Sequence, residues 1–121
     1  MSSKKLYFDM DGTVADLYGV PNWLENLRAE NPAPYDIAKP IYDMEILQEI
    51  CVMLQAKGWE IGIITWLSMG ASEEYNKKVI KAKRNWVKRN MPYVTEFHAQ
   101  VYGTLKQHAI IGNPKKVILV D

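Results

Sequence analysis

The chain has almost no cysteine, little histidine, no long apolar run and no excess of charge of either sign. With Cys51 as its single cysteine, it can form no internal disulfide and no four-cysteine zinc site, so a reducing, cytoplasmic setting is expected. His98 and His108 are its two histidines, ten residues apart and without metal-ligand spacing, which argues against zinc and leaves them surface or capping roles; His108, near Lys106, could also touch a substrate. The longest apolar stretches, such as Ile61 to Leu67, fall far short of the roughly 20 residues a membrane helix needs, so no membrane partner is expected. Met1 to Lys5 run directly into Leu6-Tyr7-Phe8-Asp9 and lack the apolar core of a signal peptide. Fifteen Lys and Arg against fourteen Asp and Glu give a net charge of +1, which argues against a nucleic-acid partner read through a basic field. Oligomeric state is left open.

What is present is an ordinary globular composition: 121 residues, 48% hydrophobic and 24% charged, enough for a single domain spanning residues 1–121. Four short apolar segments bounded by breakers read as strands: Lys5 to Phe8, Glu60 to Thr65, Ala99 to Tyr102 and Lys116 to Val120. Their lack of strict alternation suits a parallel sheet covered on both faces. Ile41 to Lys57 reads as a helix, with Pro40 near its start, Gly58 past its end and a stripe of Met44, Leu47, Ile50, Cys51 and Leu54. In that stripe Cys51 is a core residue.

Ser72 to Asn90 reads as a long helix with Ser72 as N-cap and an apolar seam of Tyr75, Val79, Ala82 and Trp86. Its other faces carry Lys77, Lys78, Lys81, Lys83, Arg84, Lys88 and Arg89, which read as a solvated surface or an electrostatic funnel for a phosphorylated substrate. A shorter helix is expected from Thr104 to Ile111, ended by Gly112-Asn113-Pro114. Strand and helix therefore alternate, which predicts an α/β sandwich with a mostly parallel sheet and right-handed crossovers. Residues 16–39 break the alternation. They hold Pro21, Pro32 and Pro34, one short helix from Asn22 to Glu30, and Tyr18, Trp23 and Tyr35, and read as a small lid inserted after the first strand.

The stretch richest in chemistry is Asp9-Met10-Asp11-Gly12-Thr13, directly after the first apolar strand. Side chains two apart in extended chain point to one side, so Asp9 and Asp11 can converge at the carboxyl end of the strand, where open α/β sheets bind ligands. Two carboxylates so close repel unless a cation or proton intervenes, and a hard divalent ion such as Mg²⁺ meets that need.

This pattern resembles the DxDGT first motif of the haloacid dehalogenase-like (HAD) superfamily, and implies a Rossmann-like three-layer sandwich with a small cap after the first strand. Ile61-Gly62-Ile63-Ile64-Thr65 looks like the second motif, with Thr65 binding the transferring phosphoryl group. Lys106 is the best match for the third-motif lysine, with Lys83 as the alternative, whereas Lys115 and Lys116 read as solvated. Val117-Ile118-Leu119-Val120-Asp121 looks like the fourth motif; family members usually continue with a second acid and another helix, so the chain is expected to be truncated there.

The resemblance implies a Mg²⁺-dependent phosphomonoesterase working through an aspartyl-phosphate. Asp9 would be the nucleophile and Asp11 the general acid and base. Thr65, Lys106 and the backbone around Met10, Gly12 and Trp66 would bind phosphate, and Mg²⁺ would sit among Asp9, Asp11 (through its carbonyl) and Asp121. An Asp at position 11 separates the chain from the family's dehalogenases and transport ATPases. Phe8 to Asp16 also looks like the 5'(3')-deoxyribonucleotidase branch, which implies a nucleotide among small phosphorylated substrates, with Tyr18, Trp23 or Trp66 stacking on its base or simply packing the lid. Two further readings are a catalytically silent phosphate- or partner-binding relative, and a polynucleotide end-processing phosphatase using the basic helix from Lys77 to Arg89.

Overall fold

A computed structural model describes residues 4–110 and 112–121. Met1, at the start of the reading against a signal peptide, and Ile111, the expected end of the third helix, lie outside them. The sheet consists of β1 (Lys4–Phe8), β4 (Trp59–Trp66), β5 (Glu96–Gln100) and β6 (Lys116–Val120), all paired in parallel in the order β5-β4-β1-β6. Between them run α3 (Met44–Ala56) and α4 (Glu73–Asn90). The chain is thus α/β, with a four-stranded parallel sheet flanked by helices, compatible with a Rossmann-like fold. Among the described residues, no helix is long and apolar enough to cross a membrane.

Leu6, Phe8, Ile61 and Ile63 project from one face of the sheet into a single core with Cys51 of α3 and Trp86 and Val87 of α4. Both long helices therefore cover the same face, as successive right-handed crossovers moving in one direction across a sheet require. The return from β5 to β6 crosses the opposite face as a loop with one 3-10 turn, Lys106–Ala109, so the expected helix from Thr104 to Ile111 is cut to that turn. The third layer of the sandwich is correspondingly thin. On that face Tyr7 donates to Glu96 at 2.9 Å, and Glu96 also meets Lys5 at 3.0 Å and His98 at 3.0 Å. Burial alone would raise the Glu96 carboxyl, but hydrogen bonds shared with Glu60, His98, Lys5 and Tyr7 outweigh it and bring it down to about 2.

Element boundaries moved for local reasons. Pro40 belongs to a two-residue strand, and α3 begins at Met44 because Asp43 caps it, accepting from the amides of Glu45 and Ile46. Ile50, expected on the apolar face of α3, is exposed. β5 lies earlier than the Ala99 to Tyr102 reading because Glu96 and His98, both polar, occupy paired positions. Ser72 does cap α4, accepting from the amide of Tyr75, and the seam of Tyr75, Val79, Ala82 and Trp86 is buried.

Residues 16–39 fold as a compact excursion pinned at its root, where β2 (Ala15–Asp16) pairs antiparallel with β3 (Lys39–Pro40). It holds a 3-10 turn (Leu17–Gly19), α1 (Trp23–Arg28) and a second helix, α2 (Ala33–Ile37), at the prolines expected to act only as breakers. Pro34 lies in the first turn of α2, where a missing N–H costs nothing. The excursion docks on α4. Glu30 accepts from the amide and hydroxyl of Ser72, the buried Trp86 indole donates to Ala38 O at 2.6 Å, and Arg89 pairs with Asp36.

Gly62 has a steric role. A Cβ at this position would lie 2.7 Å from the ring of Tyr7, which is almost fully buried. Gly62→Ala should therefore lower stability by about 1–3 kcal/mol, the usual cost of overpacking, read as a lower midpoint of urea unfolding.

Candidate active site

β1 delivers Asp9 at its carboxyl end, where the Asp9 amide extends the sheet ladder to Val120 O at 2.9 Å. The chain then turns tightly, the amides of Thr13, Val14 and Ala15 all converging on Met10 O at 3.0–3.1 Å. Gly12 adopts φ +79 in this turn, a conformation that favours glycine, and sits against the Tyr18 ring. The turn separates the two carboxylates: each meets a different lysine.

Lys106, from the 3-10 turn, places its ammonium 3.2 Å from Asp9 Oδ2 and 3.4 Å from Asp121 Oδ1, and 5.0 Å from the centre of the Trp66 ring. Of the four groups expected to converge, Asp9, Lys106 and Asp121 meet, whereas the Asp11 carboxylate turns to a different lysine. Lys83, from α4, donates to Asp11 Oδ2 at 2.9 Å, Thr65 Oγ1 at 2.8 Å and Trp66 O at 2.9 Å, which matches all three N–H groups of its ammonium. Its side chain has 0% exposure, so the expectation of a solvated Lys83 is corrected. A sequence signal existed: Lys83 falls four residues after Val79 and three before Trp86, on the buried seam itself.

The proposed ligands divide between these two lysines. Asp9 and Asp121 gather around one cation, whereas the Asp11 carboxylate is drawn to Lys83, and among the described residues no three acidic, His or Cys side chains form a metal-binding group. The Met10 amide donates to Asp9 Oδ1 at 2.8 Å and the Gly12 amide to Ala15 O at 2.9 Å, so two of the three backbone positions expected to bind phosphate have their amides engaged within the chain; the Met10 side chain is core. Thr65 faces the site beneath Lys83, and Trp66 forms part of its wall. His108 is exposed and lines neither cleft.

Two adjoining clefts, of about 310 and 630 Å³, share Asp9, Tyr18, Trp66 and Tyr102. In the smaller, Tyr18 and Trp23 stand edge to face with centres 5.0 Å apart. Trp66 and Tyr102 form a second aromatic pair at 5.1 Å. Tyr102, at the end of the Ala99 to Tyr102 strand the sequence predicts, instead follows β5 in a turn that brings it into both clefts, and no local pattern announces that turn. Tyr35, also expected in the lid, is largely buried and bonds Ser68 at 2.8 Å.

Burial raises the Asp9 carboxyl above its ordinary value, although the Met10 amide and Lys106 oppose this. A carboxyl whose pKa is higher folded than unfolded loses stability as pH rises through the interval between the two values, so the ionised Asp9 carries a folding cost at neutral pH. Asp9→Asn should show a higher thermal midpoint than wild type at about pH 7, and the two should converge at about pH 3, where the Asp9 carboxyl is largely neutral in both the folded and the unfolded chain. A lower midpoint at neutral pH would contradict this assignment.

No protein-family model, no curated protein and no solved structure matches this chain, so the chemistry of the cleft rests on its own residues.

Proposed function

We propose that the cleft hydrolyses phosphomonoesters through an aspartyl-phosphate on Asp9. The observation that carries this reading is the pairing of Asp9 and Asp11, at the carboxyl end of a central parallel strand, each with its own lysine, with Thr65 beside them. A phosphate dianion approaching an anionic carboxylate needs positive charge on both sides, and Lys106 and Lys83 supply it.

In the first step an Asp9 oxygen bonds to phosphorus as the ester P–O bond breaks, and protonated Asp11 gives its proton to the leaving alkoxide. In the second, water attacks the phosphorus of the acyl phosphate while Asp11 takes its proton, releasing phosphate and restoring the Asp9 carboxylate. Lys106, already between Asp9 and Asp121, neutralises charge at the nucleophile. Lys83 fixes Asp11 and Thr65 in one geometry, so the proton donor and the phosphate-binding hydroxyl keep their separation.

Mg²⁺ fits this donor set. Asp9 and Asp121 are hard oxygen donors that share the Lys106 ammonium, and with the Asp11 carbonyl they would hold an ion that takes the place of that ammonium and keeps several of its waters. When bound, the ion would polarise a phosphoryl oxygen. The aromatic pairs Tyr18–Trp23 and Trp66–Tyr102 suit a flat ring attached to the phosphate, so the substrate class we favour is a nucleoside monophosphate.

Phosphate release from p-nitrophenyl phosphate and from deoxyribonucleoside monophosphates should require Mg²⁺ and fall by roughly three orders of magnitude in Asp9→Asn. The nucleotides should be turned over more efficiently than the nitrophenyl ester. Release that persists in Asp9→Asn would remove the nucleophile from the scheme, and equal use of all substrates would remove the nucleotide.

A further inference from the structure

The groove between α4 and β5, of about 470 Å³, lies outside the cleft just described and shares no residue with it. Lys77, Lys81, Arg84 and Lys88 line it from α4. All four are exposed, and none forms an ion pair among the described residues. Ile80, Val94 and Phe97 give the groove an apolar floor, with Arg84 over the Phe97 ring at 4.7 Å. A second, independent feature lies alongside. β5 is the outermost strand, paired with β4 on one side and with no strand on the other among the described residues.

We propose that this groove receives an acidic, extended segment of a partner protein, which adds to the open edge of β5 as a fifth strand. The main chain of such a segment would bond to the unpaired edge of β5, and its side chains on the helix-covered face would come under the cationic stripe of α4. The spacing agrees. Four cations at steps of four, three and four residues lie about 6, 4.5 and 6 Å apart along the helix, somewhat shorter than the ~6.8 Å repeat of same-face side chains in a strand and within the reach of long Lys and Arg side chains. Alternating acidic residues would therefore meet successive cations. Single-stranded nucleic acid fits less well, because Arg84 already covers the Phe97 ring and the floor offers no free aromatic platform.

The test uses the whole chain and a fluorescent, end-blocked peptide of alternating glutamate and valine, about eight residues long. Its anisotropy should rise on binding. The affinity should drop at least about tenfold in K81E/R84E, but stay unchanged in K78E, which reverses an exposed charge outside the groove. The same peptide with proline at alternate positions, unable to donate main-chain bonds, should bind at least about tenfold more weakly. Absence of binding, equal binding of the proline peptide, or indifference to K81E/R84E would overturn the proposal. Tighter binding of an oligothymidylate of about twelve nucleotides would also overturn it and reassign the groove to nucleic acid.

Discussion

The ammonium of Lys83 has no exposed surface, and a charge removed from water persists only where every N–H group is matched and an opposite charge lies close. Its three acceptors come from two places in the chain, the turn after β1 and the end of β4. Meeting them fixes the distance from α4 to both strand ends at once. Losing Asp11, the one charged acceptor of the three, would leave a buried charge uncompensated, a loss of about 3–5 kcal/mol in comparable pairs. The same constraint that aligns helix and sheet therefore also sets Asp11 against Thr65, and the site inherits its geometry from the fold.

α4 concentrates an unusual number of duties for one helix. Its inner seam fills the core through Trp86 and Val79, its upper flank carries the lid through Ser72, Trp86 and Arg89, and its outer flank presents a row of exposed cations with no ion pair among the described residues. A helix tied on two sides has little freedom to tilt, and a tilt would move Lys83 away from Asp11. Glu30 contributes to this anchoring: it adopts φ 56 just after α1 and reaches the N-terminus of α4, where a carboxylate is favourably placed against the helix dipole.

Much of this was legible in the sequence. β1, β6 and the core seam of α4 were readable because each rests on a local pattern, a short apolar run or a 3.6-residue period. The nearness of Asp9 and Asp121 follows from the ends of adjacent parallel strands, whereas Lys106, on the turn between β5 and β6, was pointed to only by the resemblance to the family's third motif. Other features depend on partners distant in sequence. β5 carries Glu96 and His98 inward because Tyr7 and Lys5 meet them across the sheet, so its polar letters concealed a strand. α2 forms although two prolines flank Ala33, since a proline in the first turn loses no bond there. Lys83 has two readings in the sequence, a member of a solvated face and the alternative to Lys106 beside the site; the first fails because its position on the seam points inward.

The two-residue ladder of Ala15 with Pro40 and Asp16 with Lys39 brings the ends of the lid within one antiparallel rung of each other. To the sheet, everything between them is a closed loop, and loop-closure entropy grows slowly, about 0.6 kcal/mol for each doubling of length. The excursion is thus a graft point. A longer, shorter or unrelated segment could be set on the same rung, changing the wall that faces a substrate while leaving the strand ends and both lysines in place. The graft would have to keep what the lid gives α4: an acceptor for the buried indole N–H of Trp86 where Ala38 now provides it, a carboxylate for Ser72 in place of Glu30, and apolar cover for the α4 seam where Leu17 and Tyr35 now lie.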